Sequence, residues 1–188
     1  MNKLSKVLKA ELLPAKPEFH ADGVIDLLMK DHRAFRILMA KIRSPRKKLN
    51  QIISHFNKLK KLVKSHVAAE EYGLLRVIMD HPRFESNAHE GYEEHRVHEY
   101  ILNGIQTVTD RKRKVEQMKA FCEILEHHLD EEEEEELFPR VKKLLAKSSR
   151  EKLGKRFLRK RKQTRNQKEK LGSSKVILKQ ARIKKEKK

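Results

Sequence analysis

Apolar residues recur in three-four spacing along four long stretches of the chain, the period of helices that bury one face. The first carries Val24, Ile25, Leu28, Phe35, Met39 and Ile42. Ser44-Pro45 then reads as the stop of helix one and as the cap and first turn of helix two. Helix two has Leu49, Ile52, Phe56, Leu59 and Val63 on one stripe and runs to about Met79, where Asp80-His81-Pro82 closes it. Asn87, with Glu90 three residues on, is the expected cap of helix three, whose stripe includes Leu102 and Ile105. Asp110 opens helix four, with Met118, Phe121 and Leu125 on its stripe and Phe138-Pro139 as its expected end. Strand signals are missing, so the expected fold is all-α: an antiparallel up-and-down four-helix bundle over residues 21–147.

Each stripe is interrupted by polar groups where the core belongs. His32 interrupts helix one, His66 with Glu70 helix two, His95 with His98 helix three, and His128 with Glu132 helix four. A buried imidazole or carboxylate is costly unless paired or bound to a metal. A His and a Glu four apart project side by side, so two such pairs on facing helices could bridge two metal ions with carboxylates while the other histidines fill terminal positions. Imidazole and carboxylate without thiolate suit iron, manganese or zinc, and dioxygen chemistry would need redox-active iron with an open position. A ferritin-like site would use Glu-x-x-His turns, yet no Glu stands three residues before any of the 10 histidines. The His-Glu-x-x-His signature of a zinc protease is also missing.

Charge divides the chain differently. Of 46 Lys and Arg, 22 lie from Arg140 onward with 3 of the 27 acidic residues, so the body before Arg140 is neutral and the remainder carries the whole net charge of +19. Residues 148–188 are therefore expected to form a basic, disordered extension able to condense on nucleic acid or an anionic surface without reading bases. Residues 1–20, broken by Pro14 and Pro17, are expected to be a leader or strap without the apolar core of a signal peptide. The lone Cys122 excludes an internal disulfide. No membrane span is expected, and the location expected is cytoplasmic.

The order Asp31-His32-Arg33, His66-x-x-x-Glu70-Glu71, Glu94-His95-Arg96 and His128-x-x-x-Glu132-Glu133, followed by Leu137-Phe138-Pro139, resembles the hemerythrin-like HHE cation-binding domain from about Val24 to Val141. The resemblance implies a bundle holding two non-haem iron ions, oxo- and carboxylate-bridged. It also implies the ligands His32, His66, Glu70, His95, His128 and Glu132, with Glu70 and Glu132 as bridges. The implied activity is binding dioxygen, or reacting with peroxide or nitric oxide, for sensing, storage or detoxification. The alternative is a metal-sensing regulator anchored on nucleic acid by the basic extension. Two departures bear on the ligand set. One residue more than in members of this type separates His128 from Phe138, so Glu133 could replace Glu132 if helix four bulges locally. On helix three, Glu99 stands where oxygen-carrying hemerythrins have a second histidine, leaving His98 as an extra ligand or an outer partner.

Overall fold

The computed structural model describes residues 23–164, all helix and connecting turns, with no strand among them. Expectations for residues 1–20 and 165–188 lie outside the described residues.

Helix α1 spans Val24–Arg43 and α2 spans Leu49–Glu70; α2 continues through a π-helical turn at Glu71–Leu75 and ends in Arg76–Ile78. Helix α3 spans Glu85–Thr107. Helix α4 spans Arg111–His127, widens into a π-helix at His128–Leu137 and returns to α geometry at Phe138–Leu144. A fifth helix, α5, occupies 147–164.

Several ends differ from expectation. Ser44 closes α1 and, with Pro45, forms a turn in which Lys47 N–H reaches Ser44 O at 3.3 Å; the cap of α2 is therefore Lys48, whose N–H donates to Gln51 Oε1 at 3.1 Å. Helix α3 starts two residues before Asn87, behind the fully buried Phe84, and Asn87 donates to Glu136 Oε1 at 2.7 Å. Asp110 does cap α4, accepting from Arg113 N–H at 2.6 Å. Phe138-Pro139 does not end the fourth rod. The π-to-α transition creates a new first turn there, and a first turn tolerates a proline that has no N–H to donate.

The largest difference is α5. Disorder was the expectation from residue 148, because charge outweighs apolar content there. Leu153 and Phe157, four residues apart, nevertheless share one face and are buried among residues of the other helices. Gly23, at φ 63°, lets the start of α1 lie directly on α5: a Cβ there would come within 2.5 Å of the Arg150 carbonyl. Arg150 in turn donates to the carbonyls of Lys142 and Leu145, satisfying the end of the preceding helix.

The interior is divided into two apolar clusters. One is built around Phe35, Phe56, Val63, Leu102, Phe121 and Leu125, with the Phe56 and Phe121 rings edge-to-face at 5.8 Å. The other contains Leu28, Leu74, Ala88, Leu137, Phe138 and Phe157. On every one of the first four rods, the buried polar residues fall in sequence at the junction between the two clusters. The apolar ends thus exclude water from a polar layer between them.

Candidate metal centre

Seven of the buried polar residues make this layer: His32, His66, Glu70, His95, His98, His128 and Glu133, each 5% exposed or less. Five of the six candidate ligands read from the chain are among them. The sixth, Glu132, is not. Its side chain is 28% exposed and its nearest ionic partner is His127, at 3.7 Å. The place expected for Glu132 is taken by Glu133, and the reason is the π-helix beginning at His128: an i→i+5 turn brings the fifth residue, rather than the fourth, back over the first. Helix α2 keeps α geometry as far as Glu70, so there the partner of His66 remains four residues on.

Glu133 joins the two halves of the layer. Its Oε1 is 2.7 Å from His128 Nε2 and its Oε2 is 3.1 Å from His32 Nε2. Glu70 Oε2 stands 3.3 Å from His66 Nε2 and 3.6 Å from His95 Nε2. Close as they are, these atoms do not form a hydrogen-bond network. His32 Nε2, His66 Nε2, His95 Nε2, Glu70 Oε2 and both Glu133 carboxylate oxygens are buried with no hydrogen-bond partner. Buried polar atoms are rarely left so. Two triads, His32–His66–Glu133 and His95–His128–Glu133, each offer ligand atoms within 4.8 Å of one another.

The outward ring nitrogens explain which nitrogen faces in. His32 Nδ1 meets Glu134 at 2.7 Å, His66 Nδ1 meets Asp31 at 3.1 Å, His95 Nδ1 meets Glu71 at 3.2 Å and His128 Nδ1 meets Glu94 at 2.6 Å. An ionised carboxylate only accepts, so each Nδ1 carries the proton and the Nε2 lone pair of the neutral imidazole is directed inward. These pairings run in a closed circuit. Asp31 on α1 supports the histidine of α2, Glu71 that of α3, Glu94 that of α4, and Glu134 that of α1. None of the four outer carboxylates had been assigned a role from the sequence, though each stands beside a ligand candidate in the chain. That adjacency, before the ligand in α1 and α3 and after it in the α2 and α4 rods, was the available signal.

Electrostatics matches this donor set. Burial opposes charge on His128, but Glu133 and Glu94 outweigh it and raise its pKa well above the ordinary value. Burial likewise opposes ionisation of Glu133, yet His128 and His32 hold its carboxyl well below the usual range. Glu133 is therefore held ionised within the layer. Unpartnered imidazole groups, oriented tautomers and a buried ionised carboxylate together fit metal binding.

His98 belongs to the layer but to neither triad. Its ring centroid is 4.9 Å from that of His128 and 5.8 Å from that of Phe121, its Nδ1 has no hydrogen-bond partner, and burial pushes its pKa down to about 3. It is a neutral neighbour of the centre. A cavity of about 20 Å³, with room for roughly one water, touches Glu70, His95, His128 and Glu133 and extends past Glu94 and Glu132 to Asn87 and Glu90. Asn87 and Glu90 also line a larger cleft with Arg83 and Arg140.

A model of the hemerythrin HHE cation binding domain matches residues 23–141. The chain belongs to this family. No curated protein and no solved structure matches it. In this hemerythrin-like chain the matched residues include every member of the polar layer and all four outer carboxylates, whereas α5 begins beyond the match. No helix among the described residues is long and apolar enough to cross a membrane.

Proposed function

We propose that the chain is a non-haem di-iron protein that binds dioxygen or reacts with a similarly small oxidant such as peroxide or nitric oxide. The observation carrying this reading is the set of inward atoms without hydrogen-bond partners. His32, His66, His95 and His128 are assigned as ligands with Glu70 and Glu133, and the two carboxylates as bridges between the ions. These residues sit on four successive helical rods. Two irons would supply reversible redox change and an open position for a small ligand. The protein's part is to hold the imidazoles in one tautomer through the outer carboxylates, to keep bulk water out with the two apolar clusters, and to limit access. A cavity of about 20 Å³ beside His95, His128 and Glu133 favours a diatomic-sized ligand over an organic substrate.

The deciding experiment is iron per chain together with the visible spectrum before and after air. About two irons with absorption that changes on reduction is the expected result. The His66→Ala, His128→Ala double variant should lose that iron; retention would mean adventitious binding elsewhere.

A second reading, anchoring on nucleic acid or another polyanion, rests on the cationic excess beyond Arg140. Helix α5 changes how it must be tested. A chain ending at Lys147 would lose the buried Leu153 and Phe157, so the comparison belongs between the full chain and one ending at Thr164. Equal DNA affinity across a salt titration would remove 165–188 as the anchor.

A further inference from the structure

Helix α5 reaches the polar layer from beyond the family-matched residues. Its Phe157 is fully buried, with the ring centroid 6.3 Å from that of His66. One turn on, the Arg161 guanidinium lies 4.6 Å from the centre of the Phe157 ring and its Nη2 pairs with Asp31 Oδ2. That same oxygen accepts the Nδ1 proton of His66 at 3.1 Å. The opposite side of the centre repeats the device. Arg36 donates at 2.8 Å to Glu134 Oε1, the oxygen that accepts from His32 Nδ1 at 2.7 Å.

The docking that delivers Arg161 is specific. Arg159 donates to the Tyr72 hydroxyl at 2.7 Å and Arg156 to the Tyr72 carbonyl at 3.2 Å. Beside them Gly73 allows backbone contact: a Cβ there would meet Phe157 Cα at 2.9 Å. Tyr72 and Gly73 belong to the π turn that follows Glu70, so α5 grips the chain next to a proposed ligand.

We propose that Arg161 is a positioning residue of the metal centre, acting through Asp31 to hold His66 in the orientation that presents Nε2 to the metal. The inference rests on the di-iron reading above and extends the working unit past residue 141, into α5. Two effects of the guanidinium compete. It draws negative charge from Asp31, which makes His66 a weaker donor, and it fixes a carboxylate that is 16% exposed and would otherwise turn toward water. Orientation prevails, because an aspartate turned to water leaves His66 Nδ1 without an acceptor and frees the ring.

The test is ferrous-iron affinity of the full-length chain, measured anaerobically by competition with a chromophoric chelator. Arg161→Met should bind about 10-fold more weakly than wild type, the scale of losing an outer partner. Asp31→Asn should show a similar loss, and the Arg161→Met, Asp31→Asn double variant should be no weaker than Asp31→Asn alone, since both changes interrupt one path. Lys162→Met, an exposed neighbour on the same helix, should bind like wild type. Arg161→Gln, which retains a donor, should give an intermediate constant and keeps the test decidable if the Met variant does not fold. Wild-type affinity in both Arg161 variants, or full additivity in the double variant, overturns the role of Arg161 while leaving the metal centre standing. Absence of iron binding by the wild-type chain overturns the di-iron reading itself.

Discussion

Glu133 Oε1 lies 2.7 Å from Nε2 of His128, five residues earlier on the same rod, a pairing made possible by the π-helix between them. Its other oxygen faces His32 on α1, so one side chain serves both triads. Glu133→Ala should therefore abolish stoichiometric iron, whereas Glu132→Ala should retain it. Iron per chain by elemental analysis separates them; iron kept by Glu133→Ala and lost by Glu132→Ala would return the bridging role to Glu132.

The outer carboxylates should matter nearly as much as the ligands. Glu94→Gln and Glu71→Gln keep shape while removing the charge that fixes the Nδ1 protons of His128 and His95. Each should weaken iron binding roughly 10- to 100-fold. Chelator competition reads this directly, and an unchanged constant for both would show that tautomer control lies elsewhere.

Helix α5 is expected to be part of the cooperative fold. Phe157→Ala empties a fully buried site and should cost about 3–5 kcal/mol. Gly73→Ala, which sets a methyl against the α5 backbone, should cost about 1–3 kcal/mol. Urea unfolding of the metal-free chain measures both. A loss below about 0.5 kcal/mol in each case would mean that α5 detaches freely.

Away from the centre, Arg43 grips Glu126 with two hydrogen bonds, of 2.5 and 2.8 Å, and those bonds hold the Glu126 carboxyl below its usual range. A carboxyl whose folded value is depressed contributes stability above its unfolded value and loses it as pH falls through the folded one. Glu126→Gln should thus lower the melting temperature at pH 7, and the difference should close in acid below pH ~4. Both partners are about a third exposed, so the effect should stay below roughly 1 kcal/mol. A gap that persisted at low pH would assign it to packing.

Much of the centre was legible because polar residues broke apolar stripes at positions where nothing else explained them. His32, His66, Glu70, His95 and His128 were found that way, and all five lie in the buried layer. Glu133 escaped direct assignment because a 3.6-residue period selects the fourth residue after His128, and only the extra spacing before Phe138 hinted at a bulge. The outer carboxylates lay in plain view beside the ligands, but their partners are on other helices, and one chain's spacing does not reveal which. Helix α5 was hidden for another reason. Its buried face has Leu153 and Phe157 at the centre and arginines at either end, Arg150 and Arg161, so it reads as a charge run although its guanidiniums are committed to carbonyls and to Asp31.

The circuit of outer carboxylates also sets an order in time. Its last link, Glu134 to His32, joins the fourth rod back to the first, and Glu133 beside it completes both triads. A nascent polypeptide emerging from its N-terminus exposes His32, His66 and His95 long before either glutamate has been synthesised. Up to that moment only Glu70 of the two shared carboxylates is present, and the ring of tautomer-fixing partners is still open. A centre of the proposed kind would therefore be complete only once translation has passed Glu134.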